Sequence, residues 1–177
     1  DPASGRYTFH VGSQGAFGMR NNIASEVLGV PPDKVRVLTG NVGGSFGMKS
    51  AIYSEYACLL HGAKLLGRPV KWTDERSGSF VSDQHGRDHE LTAELALDQQ
   101  GRFLAIRVTG YGNMGAYLGN FGLLIATLNI VKNMVGGYAT PLIEVAMKCV
   151  VTNTTPIGPY RGAGRPEGNY FMERLVD

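Results

Sequence analysis

Two glycine-rich segments carry the residue types best suited to binding an anion. The first is VGGSFGMKS, residues 42–50, and the second is PYRGAGRPEG, residues 159–168. Gly43, Gly44 and Gly47 adopt positive φ without steric cost, so neighbouring backbone N–H groups are free to converge on one point. We expect each loop to run directly into a helix, whose N-terminus favours negative charge.

The second loop adds charge to the same pattern. Gly162 and Gly164 lie between Arg161 and Arg165, and Pro166 follows where a first helical residue is expected. Two guanidinium groups beside a helix N-terminus favour an oxyanion or a phosphate. For both loops a second interpretation stays open, in which the glycines provide only tight turns and close helix packing.

Two familiar nucleotide-binding motifs are excluded by spacing. The first loop is not a P-loop, because Met48 separates its last glycine from Lys49. The second loop fails the dinucleotide-binding fingerprint, because Gly168 falls one residue late. A formal G-x-G-x-x-G occurs at residues 110–115, but no acidic residue follows before Glu144, so we interpret this match as chance.

Composition limits the classes of partner. The net charge is +2 with mixed signs and no basic run, which gives no support for nucleic-acid binding. No apolar stretch has the length of a membrane span. Cys58 falls on an apolar helical face and Cys149 in an apolar strand pattern, so we expect buried reduced thiols and a cytoplasmic protein. His85 and His89 lie about 13 Å apart if they share a strand, so we predict no metal held by protein ligands.

Residues 1–80 alternate between strand and helix patterns. The predicted elements, in order, are a strand at Tyr7–Val11, a helix over about 14–28 capped by Ser13, a strand at Lys34–Leu38, a helix at Ala51–Leu66 and a strand at Val70–Thr73. This order predicts a layered βαβαβ-like lobe with helices on a sheet.

Residues 81–177 begin with a long β-hairpin. Apolar residues alternate over 91–97 and again over 104–108, and Asp98 to Gly101 form the turn between them. A buried helix at Leu118–Val135, a strand at Val145–Thr152 and a final helix from Pro166 follow. The predicted fold class is mixed α+β. The chain begins at Asp1 without an initiator methionine and stops at Asp177 inside a helical pattern, so we expect a piece of a longer polypeptide.

Three separated segments resemble one enzyme family in the same order. They are SQGAFGMR at 13–20, VGGSFGMK at 42–49 and TNTTPIGPYRGAGRPEGNYFMER at 152–174. They resemble the molybdenum-binding large subunit of the xanthine dehydrogenase, aldehyde oxidase and carbon monoxide dehydrogenase family. The resemblance covers almost the whole chain and implies the first half of a molybdopterin-binding domain.

The resemblance also implies roles for particular residues. It assigns cofactor contacts to Gln14, Gly44, Phe46, Gly47, Arg161 and Gly162. Gln14 would hydrogen-bond an oxygen ligand of molybdenum, and Arg161 would place the substrate, so these two are the predicted catalytic residues. The metal itself would be held by the pterin dithiolene and not by a side chain.

The implied activity is hydroxylation of an aldehyde or an N-heterocycle with oxygen from water. The cofactor would be molybdopterin or its cytosine dinucleotide, with iron–sulfur clusters and FAD on partner domains or subunits. The remainder of the large subunit would supply the glutamate base beyond Asp177, so we expect the isolated segment to be inactive.

Two departures from the family pattern argue against a purine substrate. Ser50 stands where purine-hydroxylating members carry a glutamate, and Asn129 stands near the position of their substrate-orienting arginine. Both changes remove charged contacts. A hypothesis from another class stays open beside the enzyme, namely a non-catalytic scaffold or interaction domain whose glycine loops only turn corners.

Overall fold

The computed structural model describes all 177 residues, which form two compact units, residues 1–82 and residues 83–177. Helices and strands occur in both units, which confirms the predicted α+β class. None of the helices has both the length and the apolar character needed to cross a lipid bilayer.

The first unit is built on two short parallel strands. Its elements are β1 (Tyr7–His10), α1 (Ala16–Asn22), a π-helical continuation (Ile23–Leu28), a 3₁₀ turn (Pro32–Lys34), β2 (Val35–Leu38), a second 3₁₀ turn (Met48–Ser50), α2 (Ser54–Leu66) and α3 (Arg76–Ser82). Tyr7 pairs with Val35 and His10 with Leu38. Gly29 ends the first helix in the left-handed conformation, as predicted.

Helix periodicity explains the core of this unit. Met19 and Ile23 are four residues apart and therefore lie on the same helical face, where they meet the inward side chains of the strands. The buried cluster consists of Phe9, Met19, Ile23, Ala24, Val35 and Leu60.

Two predictions for the first unit are wrong. Ser13 does not cap a helix, because its hydroxyl lies 2.8 Å from that of Thr39, and α1 begins after Gly15 without a side-chain cap. The strand expected at Val70–Thr73 does not form, since no neighbouring strand pairs with it. The sequence patterns also missed α3.

The signal for α3 was present in Asp74. Its carboxylate accepts hydrogen bonds from the N–H of Glu75 and the hydroxyl of Ser79, which ties the residue before the helix to the side chain of Ser79 within it. An aspartate followed by Glu75, Arg76 and Ser77 is therefore a helix start that the apolar pattern concealed.

The second unit is a three-stranded sheet of order β3-β4-β5 with helices against it. Its elements are β3 (His89–Leu97), β4 (Phe103–Asn113), α4 (Gly122–Leu124), a π-helical segment (Ile125–Asn129), α5 (Ile130–Asn133), β5 (Ile143–Val150) and α6 (Arg165–Val176). β3 is antiparallel to β4, and β5 is parallel to β4. Ile106, Val108, Met134 and Met172 form the buried core.

The predicted hairpin turn is confirmed. The carboxylate of Asp98 accepts hydrogen bonds from the N–H groups of Gln100 and Arg102, and Gly101 has φ of 80°. The turn is closed by local bonds, which is why its sequence was sufficient to predict it.

Two burial predictions need correction. Cys58 is exposed, while Cys149 is half-buried and burial raises the pKa of its thiol. The apolar helix predicted over Leu118–Val135 is shorter, and Leu123 and Leu128 on it are exposed. An apolar pattern does not reveal which faces of a helix find a neighbour within its own unit.

Gly110 in β4 provides a test of the hairpin packing. It has φ of 151°, and a Cβ there would lie 2.1 Å from the carbonyl oxygen of Glu90. We expect Gly110→Ala to lower the free energy of unfolding by about 3 kcal/mol, because the colliding atom belongs to the backbone and has little room to yield. Chemical denaturation followed by circular dichroism measures this loss.

Gly101→Ala is the matched control. Gly101 also has positive φ, but a Cβ there meets nothing within 4 Å. We expect only the backbone strain of about 1 kcal/mol. Equal losses of unfolding free energy in the two variants would show that the collision between an added Cβ and the carbonyl of Glu90 does not destabilise the protein.

Candidate functional site

The first glycine loop starts where the two parallel strands end. The N–H of Val11 donates to the carbonyl of Leu38 over 3.1 Å, which extends the strand pairing by one residue. The hydroxyls of Ser13 and Thr39 then lie 2.8 Å apart. Because the strands run the same way, the segments that leave them lie at the same end of the sheet.

Gln14 joins these two segments. Its N–H donates to the carbonyl of Lys49 over 2.9 Å, and its Oε1 accepts from the N–H of Gly47 over 2.8 Å and from the hydroxyl of Ser45. Two donors therefore fix the carboxamide oxygen. The Nε2 group of the same exposed side chain has no partner within the protein, so its two N–H bonds are available to an acceptor from outside.

Other side chains hold the loop to itself. The Nζ of Lys49 donates to the carbonyl of Val42 over 2.7 Å. The hydroxyl of Ser50 donates to the carbonyl of Gly47 over 2.5 Å. These side chains fix the path of the backbone.

Gly44 leaves space for the ring of Phe46. A Cβ on Gly44, which has φ of 126°, would lie 2.8 Å from Cε2 of that ring. Phe46 is itself left-handed, with φ of 53°, and its side chain is 59% exposed. A non-glycine residue with positive φ in an exposed loop is unusual and often accompanies a binding role.

The expectation that the first loop runs directly into a helix is wrong. Met48–Ser50 form a 3₁₀ turn, Ala51 is extended and α2 begins only at Ser54. The loop therefore offers its own backbone and the carboxamide of Gln14 to a ligand, and not the N-terminus of a long helix.

The second glycine loop does run into a helix, because α6 begins at Arg165. Gly162, Ala163 and Gly164 have φ of 90°, 47° and 95°. A Cβ on Gly164 would lie 2.7 Å from the carbonyl oxygen of Ile125, so only glycine allows the loop to pass so close to the π-helical segment.

Two side chains hold carbonyls of the second loop. Nδ2 of Asn129 donates to the carbonyl of Ala163 over 2.9 Å, and Nη2 of Arg87 donates to the carbonyl of Arg161. The backbone is thereby anchored from two sides. The side chain of Arg161 is exposed, which places its charge at the surface of the unit.

Sequence reasoning gave no role to three residues that lie near this loop, although it considered His89 as a metal ligand and rejected it. Glu167 is 8% exposed, and its Oε2 is buried without a hydrogen-bond partner. The Nε of Arg87 lies 3.9 Å from its other oxygen. His89 is mostly buried with Nε2 unpaired, and burial lowers its pKa although the charges of Glu167 and Asp88 act in the other direction.

A partial signal for Glu167 existed, since an acidic residue in the first turn of a helix complements the helix dipole. Its burial has no signature in the sequence. Arg87 stands out only in the structure, where its backbone has a positive φ of 62°.

The predicted contacts divide between the units. In the first unit, Gln14 is bonded to Gly47, and Gly44 lies against Phe46. In the second unit, Arg161 and Gly162 are neighbours in the loop before α6. The segment of the first unit presents the carboxamide NH₂ of Gln14, and the segment of the second unit presents the guanidinium of Arg161. Each of these donors suits an oxygen-rich or anionic group.

Comparison with known proteins identifies one protein family over the full length of the chain. Residues 1–177 match the family described as the molybdopterin cofactor-binding domain. The chain is 35% identical over 156 residues to the 6-hydroxypseudooxynicotine dehydrogenase complex subunit gamma of Paenarthrobacter nicotinovorans, covering 88% of this chain and 19% of that protein. It is 33% identical over 179 residues to the carbon monoxide dehydrogenase large chain of Hydrogenophaga pseudoflava, covering 100% of this chain and 22% of that one.

A solved structure shares the fold. The crystal structure of quinoline 2-oxidoreductase from Pseudomonas putida 86 superposes with a TM-score of 0.93 at 28% identity, covering 100% of this chain and 22% of that chain. The chain thus spans about a fifth of the length of the relatives it matches.

His89 predicts a pH dependence of stability. Its pKa in the folded protein lies below the ordinary value of 6.5, so the unfolded chain takes up the proton more readily. The contribution of His89 is fully present above pH 6.5 and is lost as the pH falls from there towards the folded pKa. We therefore expect the free energy of unfolding to fall less between pH 7 and pH 5 in His89→Gln than in the unsubstituted protein.

The control is His61→Gln, on the exposed side of α2. Denaturant titrations at both pH values measure the difference. A pH dependence in His89→Gln equal to that of the unsubstituted protein would show that His89 is not held neutral by burial.

Proposed function

Because the chain belongs to the family of molybdopterin cofactor-binding domains, we propose that it holds the molybdenum cofactor within the large subunit of a molybdenum hydroxylase. The chain spans about a fifth of the length of its relatives, so we assign the activity to a longer protein in which this chain forms one part of the cofactor site. The observation that carries the proposal is the fixed carboxamide of Gln14, with its oxygen bonded and its NH₂ presented outward.

The residues fit such a group. Molybdopterin carries a phosphate and oxygen ligands on the metal, which need donors. Gln14 supplies an NH₂ group as a donor. The N–H of Gly47 holds the oxygen of Gln14 in place, and Gly44 has no Cβ that would collide with the ring of Phe46. In the second loop, Arg161 supplies a cation next to Gly162, whose backbone has a positive φ of 90°.

Bound molybdopterin would supply a molybdenum centre that takes two electrons from the substrate carbon. The residues of this chain have the supporting roles. Gln14 donates a hydrogen bond from Nε2 without turning, because Ser45 and Gly47 hold its oxygen. Arg161 orients the substrate or its developing negative charge. Donors that are in place before the reaction cost no reorganisation during it.

The proposed substrate is an aldehyde or an N-heterocycle. Ser50 donates to its own loop at Gly47, and Asn129 donates to Ala163, so both groups are engaged within the protein and neither carries a charge for a purine. The relative from Pseudomonas putida is named for quinoline, an N-heterocycle, which supports the same choice.

The proposed partners are those that the resemblance to the family implies. The remainder of the large subunit would complete the cofactor site and provide the base, and iron–sulfur and flavin groups on partner domains or subunits would carry the electrons away.

A non-catalytic scaffold is the second candidate. It is favoured by the number of bonds that the loops make internally, since Lys49, Ser50 and Asn129 all serve the backbone. A loop that only turned a corner would be held in the same way. The carboxamide NH₂ of Gln14, which holds nothing within the protein, favours the enzyme.

The test compares Gln14→Ala and Arg161→Ala in the full-length protein. We expect each to lower kcat/KM by about 100-fold, because each removes a donor aimed at the reacting group. Gln99→Ala and Arg102→Ala are matched controls in the exposed hairpin turn. Steady-state kinetics with aldehyde and N-heterocyclic substrates measure the loss, and thermal unfolding shows whether folding is preserved.

Metal analysis separates the two candidates. We expect about one molybdenum and one pterin per chain in the full-length protein, measured by plasma mass spectrometry and pterin fluorescence. A folded protein without either would support the scaffold. Loss of folding in Gln14→Ala, with cofactor content irrelevant to stability, would support it as well.

A further inference from the structure

Arg87 contacts the second glycine loop at three places. Its Nη2 donates to the carbonyl of Arg161, its guanidinium lies 4.6 Å from the centre of the Tyr160 ring, and its Nε lies 3.9 Å from Oε1 of Glu167. The guanidinium therefore links the loop to the first turn of α6. The planar guanidinium group carries several N–H donors, so each contact restricts the orientation of its plane.

The segment that carries Arg87 is itself fixed along the loop. The N–H of Gly158 donates to the carbonyl of His85 over 2.9 Å. A Cβ on Gly86 would lie 2.8 Å from Cβ of Tyr160, so the two backbones are in close contact. Arg87 also adopts the left-handed conformation, with φ of 62°, which is strained for a non-glycine residue.

Glu167 needs a cation. Its side chain is 9% exposed and Oε2 is buried without a partner, so an uncompensated negative charge there is costly. The Nε of Arg87 lies 3.9 Å from Oε1 of Glu167, and His89 is near enough for the charge of Glu167 to act on it. Burial lowers the pKa of His89, which keeps that ring neutral at neutral pH. Arg87 is therefore the counter-ion of Glu167.

We propose that Arg87 is a positioning residue for Arg161, and that Glu167 acts only by holding Arg87. By fixing the Arg161 carbonyl, Arg87 sets the direction in which the Arg161 side chain leaves the loop. The inference rests on the proposed function, in which Arg161 places the substrate. A simple ion pair that only stabilises the unit is the competing explanation.

The experiment uses the full-length protein with its cofactor and the variants Arg87→Met, Glu167→Gln and their combination. The control is the exposed pair Arg107→Met and Glu144→Gln, whose Nε and Oε2 lie 2.9 Å apart. Exposed ion pairs contribute little to stability, so variants of this pair show the effect of losing an ordinary surface contact. Arg87→Lys, which keeps the charge but not the flat fork, serves if Arg87→Met fails to fold.

The first readout is hydrogen exchange of residues 159–165, which does not depend on activity. The N–H of Ala163 donates to the carbonyl of Tyr160 over 2.8 Å. We expect Arg87→Met to raise the exchange rate of this amide about tenfold and Arg87→Lys to raise it less, because the loop opens locally.

The second readout is kinetic. We expect Arg87→Met to lower kcat/KM by about 10- to 100-fold at unchanged molybdenum content, since a misplaced positioning group acts on the reaction and not on cofactor loading. Glu167→Gln should have a smaller effect in the same direction. It should have no further effect in the Arg87→Met background, because both variants break the same linkage.

Two outcomes overturn the proposal. One is that Arg87→Met and Arg87→Lys both behave like Arg107→Met in exchange and kcat/KM, even if the melting temperature falls. Another is that the effects of Arg87→Met and Glu167→Gln add. If the unsubstituted protein holds no molybdenum, the proposed function fails, and the exchange experiment alone then decides whether Arg87 positions the loop.

Discussion

The fixed oxygen of Gln14 is the interaction on which the first loop depends. Loops rich in glycine lose much conformational entropy on folding, so each ordered conformation needs specific bonds. Gln14 provides two of them at once, to Ser45 and Gly47, and a third through its own N–H to Lys49. The parallel pairing of β1 and β2 makes this possible, because it places the segments that leave the two strands side by side.

Different interactions hold the backbones of the two glycine loops. In the first, polar side chains hold the backbone, and the glycines supply positive φ and leave space for Phe46. In the second, Gly164 and Gly168 lie so near the carbonyls of Ile125 and Ile130 that a Cβ would collide. Steric contact with the helical segment fixes that loop. Asn129, on the same segment, donates to the carbonyl of Ala163, and Arg87 donates to the carbonyl of Arg161.

Burial of polar atoms without hydrogen-bond partners beside the second loop lowers the stability of the fold. Glu167 and His89 each keep a buried polar atom without a partner. A fold selected for stability alone has no need of such atoms, since apolar residues of similar size fill the same space more favourably. Their presence beside the Arg161 loop is consistent with a requirement on the position of that loop.

Local patterns in the sequence determined the hairpin at Asp98, the start of α6 after Gly164 and the stop at Gly29, because each depends on bonds and dihedral angles within a few residues. Both glycine loops, the five proposed contact residues within them and Gln14 in the 13–20 segment were likewise visible in the sequence. The resemblance of these segments to a molybdopterin-binding family was sufficient to identify that family.

Tertiary structure alone decided the partners of those residues. Ser13 pairs with Thr39 and does not cap a helix, Val70–Thr73 lacks a neighbouring strand, and Glu167 is buried beside Arg87. Each outcome depends on a residue distant in sequence that chain folding brings near or fails to bring near. No local propensity encodes such a distance, which is why the linkage through Arg87 emerged only from the folded chain.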